Sequence, residues 1–240
     1  MSLILILEQS LNGLQFGLML FLLAAGLTLV FGIMDMINLA HGSIYMIGAF
    51  LAASLVQATG SFVLGVLLAI PATAVVGMLL EVTILRRLYA RDHLSQVLAT
   101  FALILICNEA VRIIWGSDLA LSTPAALSGP VELLPGLFYP SYRLLVIVVG
   151  LLVALLLYFI IAKTRIGMRV RAGASNREMA TAMGSDIKML FTLVFGFGAA
   201  LCAVAGAMLG PIFAVQVGMV TKPPSNAASI SSVLDRKAHV

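Results

Sequence analysis

"GLTLVFGIMDMINLAHGSIYMIGAFLAA", residues 26–53, is two apolar runs joined through a polar centre. An aspartate in the middle of a bilayer costs about 2.5–3.5 kcal/mol on insertion scales, so Asp35 belongs at a helix end, in a cavity or against a partner. The apolar segment around it, Leu11 to Gln57, accommodates two helices of roughly 20 residues each and leaves only a tight connection between them. Asp35 lies near that connection. The stretch reads as helix, polar turn, helix, and this reading sets the class of the whole chain.

The composition agrees. Of 240 residues, 62% are hydrophobic and only 10% charged, and the mean hydropathy of +1.13 exceeds what one soluble core requires. Barrel strands would alternate apolar and polar residues over short segments, whereas here long apolar runs are separated by short basic or Gly/Pro-containing breaks. Six spans are expected, at Leu11–Ile33, Met36–Gln57, Ser61–Leu85, Leu94–Trp115, Tyr142–Ala162 and Met189–Pro211. The fold class is therefore all-α, a polytopic transmembrane helix bundle with an interrupted or polar-turn helix near residues 34–45. Residues 1–215 form the membrane domain and 216–240 a polar, atypical C-terminal tail. "MSLILILEQS" lacks the basic n-region and cleavage site of a signal peptide, so the first span is expected to be retained.

A net charge of +4 could suggest nucleic acid, but the basic residues lie between apolar spans, where they act as topology signals. Arg86, Arg87 and Arg91 follow span three; Lys163, Arg165, Arg169, Arg171, Arg177 and Lys188 follow span five; Gly116 to Ser141 contains no Lys or Arg. Loops 86–93 and 163–188 are thus expected to be cytoplasmic, and the N-terminus external. Pro124, Pro130, Pro135 and Pro140 make a long helix in the external segment 116–141 improbable, so it is expected to be an irregular cap. Trp115, Tyr139 and Tyr142 fit an aromatic belt at the outer interface.

Several polar groups are candidates for function. Continued on one helix, Asp35, Asn38, His41, Gly42 and Tyr45 fall within an arc of about 120°. Two readings stay open: an inner turn in which Asp35 caps the second helix, or an interrupted helix whose polar face lines a translocation pathway. Glu109 and Arg112, at i, i+3 spacing, are either an interfacial ion pair or an outer-gate contact. Gly198, Cys202, Gly206 and Gly210 recur every four residues in the last span, which suits close helix packing. Cys107 and Cys202 lie in apolar runs and read as small core residues. The chain carries no P-loop, HExxH or GxSxG signature, and its three histidines do not cluster, so no catalytic, cofactor or metal site is expected. Energy for transport must come from another chain or an ion gradient.

The loop "RIGMRVRAGASNREMATAMGSDIK" is the most informative polar segment. Ser175 and Glu178 have capping-box spacing, so a short helix is expected to start at Ser175 and stop at Gly184, with Met179, Ala180 and Met183 as an apolar surface. A helix of two turns is not stable alone and must dock on something. "EMATAMG" resembles the E-A-A-x-x-x-G coupling motif of ATP-binding-cassette importer permeases, with Met179 where that motif has alanine. Residues 26–53 resemble the early region of high-affinity branched-chain amino-acid permeases, and the resemblance extends over about residues 10–215. It implies an inner-membrane permease subunit for leucine, isoleucine and valine, working by alternating access. The implied partners are a second related permease, two cytoplasmic ATP-binding subunits and an external solute-binding protein, with Ser175 to Gly184 transmitting the ATPase movements. Such permeases are expected to continue past Gly206–Pro211 with further membrane helices, so a truncated or frameshifted, even non-functional, product is a further expectation. From the residues alone, an ion-coupled carrier or channel using Asp35, His41 and Glu109, and a non-transporting scaffold, remain alternatives.

Overall fold

The computed structural model describes residues 3–36, 38–89, 91–116, 118–119, 121, 123–124, 127–134, 137–184, 186–213 and 215–216, so the tail from 217 onward lies outside the described residues. Helix α1 spans Leu3–Met34, α2 His41–Thr59, α3 Phe62–Thr83, α4 His93–Trp115 and α5 Ser141–Lys163; the short α6 (Arg165–Ser175) and α7 (Arg177–Ala182) precede α8 (Ile187–Phe213). Six helices are long and apolar enough to cross a membrane. They are the six spans expected from hydropathy, with two displaced boundaries. α1 begins at Leu3 rather than Leu11, because "LILILEQS" contains nothing that stops a helix. α2 begins at His41 rather than Met36, because the polar turn ends one helix before the next starts.

α8 is the hub. Of its apolar stretch 72% is buried, against 22% for α4 and α5, so the other helices pack around it while α4 and α5 turn large apolar side chains outward. α8 packs along α1, α2 and α3, α5 rests on α1, and α4 rests on α2. Small residues permit the close approach: a Cβ on Gly48 would sit 2.7 Å from Ala203 Cα, and one on Gly206 2.7 Å from the Tyr45 carbonyl. The four-residue repeat in the last span therefore faces the core of this bundle, as expected from its spacing.

The helix ends follow their local chemistry. Gly60, with φ 65°, closes α2. Asp92 caps α4 by accepting the Ser95 amide at 3.1 Å and the Ser95 hydroxyl at 2.7 Å. These two hydrogen bonds hold the Asp92 carboxyl below its usual range. Asp186 caps α8 through the Met189 amide at 3.1 Å.

Segment 116–141 corrects two expectations. It contains regular structure: β2 (Pro130–Leu134) and β3 (Leu137–Pro140) form an antiparallel hairpin, irregular between Glu132 and Leu134, with Pro130 and Pro140 paired at its open end. Prolines at strand ends remove no interior ladder bond, which is why Pro130 and Pro140 are compatible with these strands. β1 (Asp118–Leu119) pairs with β4 (Val215–Gln216) and draws the end of α8 to the end of α4. The aromatic belt is also revised. Tyr139 and Tyr142 are 0% and 3% exposed, with their hydroxyls donating to Asn12 Oδ1 at 3.0 Å and to the Met208 carbonyl at 2.9 Å. Trp115 donates to Ser54 Oγ and stacks beside Phe50. All three pack against protein, a tertiary outcome that interfacial statistics do not anticipate.

Candidate functional site

The polar turn differs from the single helical face drawn from the sequence. α1 ends at Met34, and Asp35 follows with φ 48°, its amide donating to the Phe31 carbonyl at 2.9 Å. Its side chain is exposed and does not cap α2. Asn38 performs part of that work: its Oδ1 accepts the Ala40 amide at 3.1 Å and its carbonyl accepts the His41 amide at 3.4 Å. Asp35 and Asn38 thus precede α2, and only His41, Gly42 and Tyr45 lie on it. The inner turn is therefore present, with Asn38 rather than Asp35 supplying its side-chain bond, whereas the shared 120° face is not, because Asn38 offers the backbone a turn in place of helical bonds.

Asn38, His41 and Tyr45 are buried and Gly42 is half-buried. The imidazole lies between α1 and α8, with Nε2 3.1 Å from Cys202 Sγ. A Cβ on Gly26 would come within 3.0 Å of Nε2, and one on Gly198 within 3.5 Å of Cε1. Two glycines, one from each flanking helix, make the slot that holds the ring. Asn38 Nδ2 has no hydrogen-bond partner among the described residues. A buried donor without a partner costs about 1–3 kcal/mol, so this turn is held at a disadvantage that its surroundings offset.

Beside the turn, at the same end of the bundle, stands a charged cluster that sequence reasoning missed. Glu81, on the last turn of α3, is fully buried. Arg86 approaches it with Nε at 3.3 Å from Oε1 and Nη2 at 3.1 Å from Oε2. Tyr89 donates to Oε1 at 2.7 Å, and Thr192 of α8 donates to Oε2 at 2.7 Å. Every lone-pair direction of the carboxylate is used, which is what allows an ion inside the protein. The Tyr89 hydroxyl lies 3.6 Å from Met34 Sδ, joining the cluster to the end of α1. Burial, reinforced by the Glu81 hydrogen bond, pushes the Tyr89 phenol above its ordinary range, so it remains a donor. The available signal was a lone carboxylate near the basic end of an apolar span.

The loop after α5 is more ordered than a solvated connection. Thr164 caps α6 through the Gly167 amide at 3.2 Å, and α6 runs amphipathically to Ser175 with Gly167, Val170 and Gly173 buried. Ser175 is therefore the last residue of α6 and does not cap α7. Asn176 does so, accepting the Met179 amide at 2.9 Å. Adjacent Ser and Asn are both capable caps, and the helix continuing through Ser175 decides between them. Gly184, with φ 83°, ends the turn after α7, as its residue type suggested. The expected apolar surface is split: Ala180 is buried, whereas Met179 and Met183 are 61% and 82% exposed. Glu178 is exposed. Arg177 lies over the Phe191 ring of α8 at 5.6 Å, and Phe191 meets Tyr89 edge-on at 5.3 Å. α7 is thus connected through Phe191 to the Glu81 cluster while its two methionines project outward.

Against this architecture, the family model described as "branched-chain amino acid transport system / permease component" matches residues 9–224. The chain belongs to this permease family. It is 32% identical over 222 residues to the high-affinity branched-chain amino acid transport system permease protein BraD of Pseudomonas aeruginosa, covering 87% of this chain and 72% of that protein. It is 29% identical over 223 residues to the corresponding LivH protein of Escherichia coli, with the same two coverages, 87% and 72%. A probable LivH permease of Methanocaldococcus jannaschii is 29% identical over 204 residues. No solved structure matches significantly. The family match reaches residue 224, beyond the 10–215 over which the sequence resemblance was drawn.

In this permease the remaining candidate pair is superficial. Arg112 Nη2 lies 3.7 Å from Glu109 Oε1, with side chains 64% and 57% exposed. Such a pair contributes little to stability. Cys107 and Cys202 are free and buried. Among the described residues no group of three His, Cys, Asp or Glu side chains could hold a metal ion.

Proposed function

We propose that this chain is the membrane-spanning subunit of an ATP-binding-cassette importer that moves branched-chain amino acids across the bacterial inner membrane by alternating access. Family membership supports the transport class, and the relatives' names supply the substrate. The observation that carries the mechanism is α7: a short, Asn-capped helix that buries Ala180 on the bundle and presents Met179 and Met183 at the basic end. Ser175, Glu178, Met179, Ala180, Met183 and Gly184 form the segment on which a cytoplasmic ATPase docks. Two such ATP-binding subunits hydrolyse ATP, a second related permease completes the membrane pathway, and an external solute-binding protein delivers the amino acid. In this arrangement loops 86–93 and 163–188 are cytoplasmic and the N-terminus is external. The buried turn with Asn38, His41, Gly42 and Tyr45 lies near the inner end of the pathway, with Asp35 at its exposed edge.

The test is reconstitution of the full chain with its co-purifying partners in proteoliposomes, followed by uptake of labelled leucine. ATP-dependent uptake is expected, together with loss of ATPase retention in Met179→Ser/Met183→Ser but an unchanged melting temperature. Uptake driven by an ion gradient in the purified chain alone would refute the importer reading. Retained coupling in the double variant would remove α7 as the docking element.

A further inference from the structure

The importer reading leaves the outer face of α6 unused. Lys163 closes α5 and Arg165, Arg169 and Arg171 follow it, four cations within nine residues, counted 163 to 171, and Arg165–Ser175 contains no acidic residue. α6 turns Gly167, Val170 and Gly173 inward, so Arg165 and Arg169, one turn apart, share the outer face with Met168, which is 54% exposed. Arg171 is committed to the Ile161 carbonyl. Arg165 and Arg169 form no ion pair among the described residues. Beside them a groove of about 370 Å³ runs between α6 and the first turns of α8, lined by Ile166, Arg169, Asp186, Met189, Leu190 and Leu193 and bordered by Met183 and Gly184 of the docking segment. Ile166, Met189 and Leu193 are 53%, 60% and 45% exposed. The Asp186 carboxylate accepts the Met189 amide as the α8 cap, so its charge faces the helix start.

We propose that this face is a binding site for an anionic phospholipid of the adjacent leaflet. The phosphate is held by Arg165 and Arg169, and an acyl chain lies along Ile166, Met189 and Leu193. Two features argue for lipid rather than a free anion. The cations sit where a membrane span ends, and the exposed apolar side chains of Ile166, Met168 and Met189 stand beside them, which a phosphate ion would leave uncovered. Basic residues next to a bilayer attract anionic headgroups at roughly fivefold in affinity per cation, so the pair contributes roughly 30-fold.

The experiment is native mass spectrometry of the full-length chain in detergent, titrated with phosphatidylglycerol and with phosphatidylcholine of identical acyl chains. Preferential retention of phosphatidylglycerol is expected, reduced roughly 30-fold in Arg165→Gln/Arg169→Gln, preserved in Arg165→Lys/Arg169→Lys, and unchanged in the control Arg87→Gln/Arg91→Gln. Equal retention of the two lipids by the unmodified chain overturns the proposal without recourse to any variant. Complete competition by millimolar inorganic phosphate assigns the site to a free anion and also overturns it. Loss of ATPase retention in the glutamine variant with lipid binding intact gives the face to a protein partner, with the same consequence. None of these readouts depends on which solute is transported.

Discussion

Replacing Glu81 by glutamine tests whether the cluster it anchors ties α3 to α8. The carboxylate is fully buried, and its partner Arg86 lies at 3.1 Å with 33% of its side chain exposed. At that distance two unit charges attract by about 5 kcal/mol at an effective dielectric of about 20. Desolvation of Glu81 offsets part of this, and water around Arg86 screens more, leaving an expected loss of about 2–3 kcal/mol. Glutamine cannot recover it. If its carbonyl accepts from Tyr89 and Arg86 Nε, its amide must face Arg86 Nη2, another donor. A chain of this size shifts by about 2–4 °C per kcal/mol, so the melting temperature should fall by roughly 5–10 °C. The assay is a thermal ramp of the full chain in detergent with a thiol-reactive dye, because Cys107 and Cys202 are 6% and 0% exposed and report opening of the bundle. Arg86→Gln should lower the melting temperature too, and the double variant should lose less than the sum of the two. Glu109→Gln, at the exposed pair, should stay within about 1 °C. A Glu81→Gln shift no larger than that of Glu109→Gln, or strict additivity with Arg86→Gln, would refute the reasoning.

Asp92→Ala removes the α4 cap and should lower the melting temperature at neutral pH. Because the folded state depresses the Asp92 pKa, that contribution is present above the ordinary carboxylate pKa and vanishes as pH falls through the lowered value. Melting curves of both proteins should therefore converge on acidification. Gly48→Ala, whose new Cβ would meet the Ala203 backbone at 2.7 Å, should destabilise by about 1–3 kcal/mol. Gly32→Ala, with nothing within 4 Å, should be neutral or stabilising by up to about 1 kcal/mol, as the same ramp would show. Asn38→Leu removes the acceptor of the Ala40 amide, a loss of about 1–2 kcal/mol that removal of the unpartnered Nδ2 offsets in part, so the local opening of the turn is the informative readout. Hydrogen exchange at the start of α2 should accelerate in that variant, and unchanged exchange would show that water replaces the side chain.

The spans were legible because burying backbone amides in lipid leaves a helix few alternatives, and long apolar runs state their own length. What escaped were features decided by partners distant in sequence. Glu81 has Arg86 and Tyr89 close by in the chain, but the Thr192 hydroxyl that completes its shell lies 111 positions away on α8. Tyr139 and Tyr142 looked interfacial until Asn12 and the Met208 carbonyl claimed their hydroxyls. The capping box at Ser175 failed for the opposite reason: the local motif was present, but α6 ran through it and passed the role to Asn176. The polar turn was legible, but the single 120° face was not there, since helical periodicity was extended across residues whose side chains favour a turn.

α8 gives these separate sites a common mechanical element. Near its start, Phe191 receives Arg177 from α7 and Tyr89 from the Glu81 cluster. About two turns further on, Gly198 and Cys202 hold His41, and then Ala203 and Gly206 lie against Gly48 and the Tyr45 backbone. A displacement applied at α7 therefore reaches the polar turn through one helix. That helix cannot slide by fractions of a residue against α2, because the glycine contacts are at backbone distance and close-packed interfaces switch between discrete arrangements. α2 and α8 must then move together, and α3 with them, because a Cβ on Gly77 of α3 would sit 2.6 Å from Ala199 Cβ. On the importer reading proposed above, Gly48→Ala, which disturbs this seam, should slow leucine uptake in proteoliposomes as well as lower the melting temperature, and unchanged uptake would refute the joint movement.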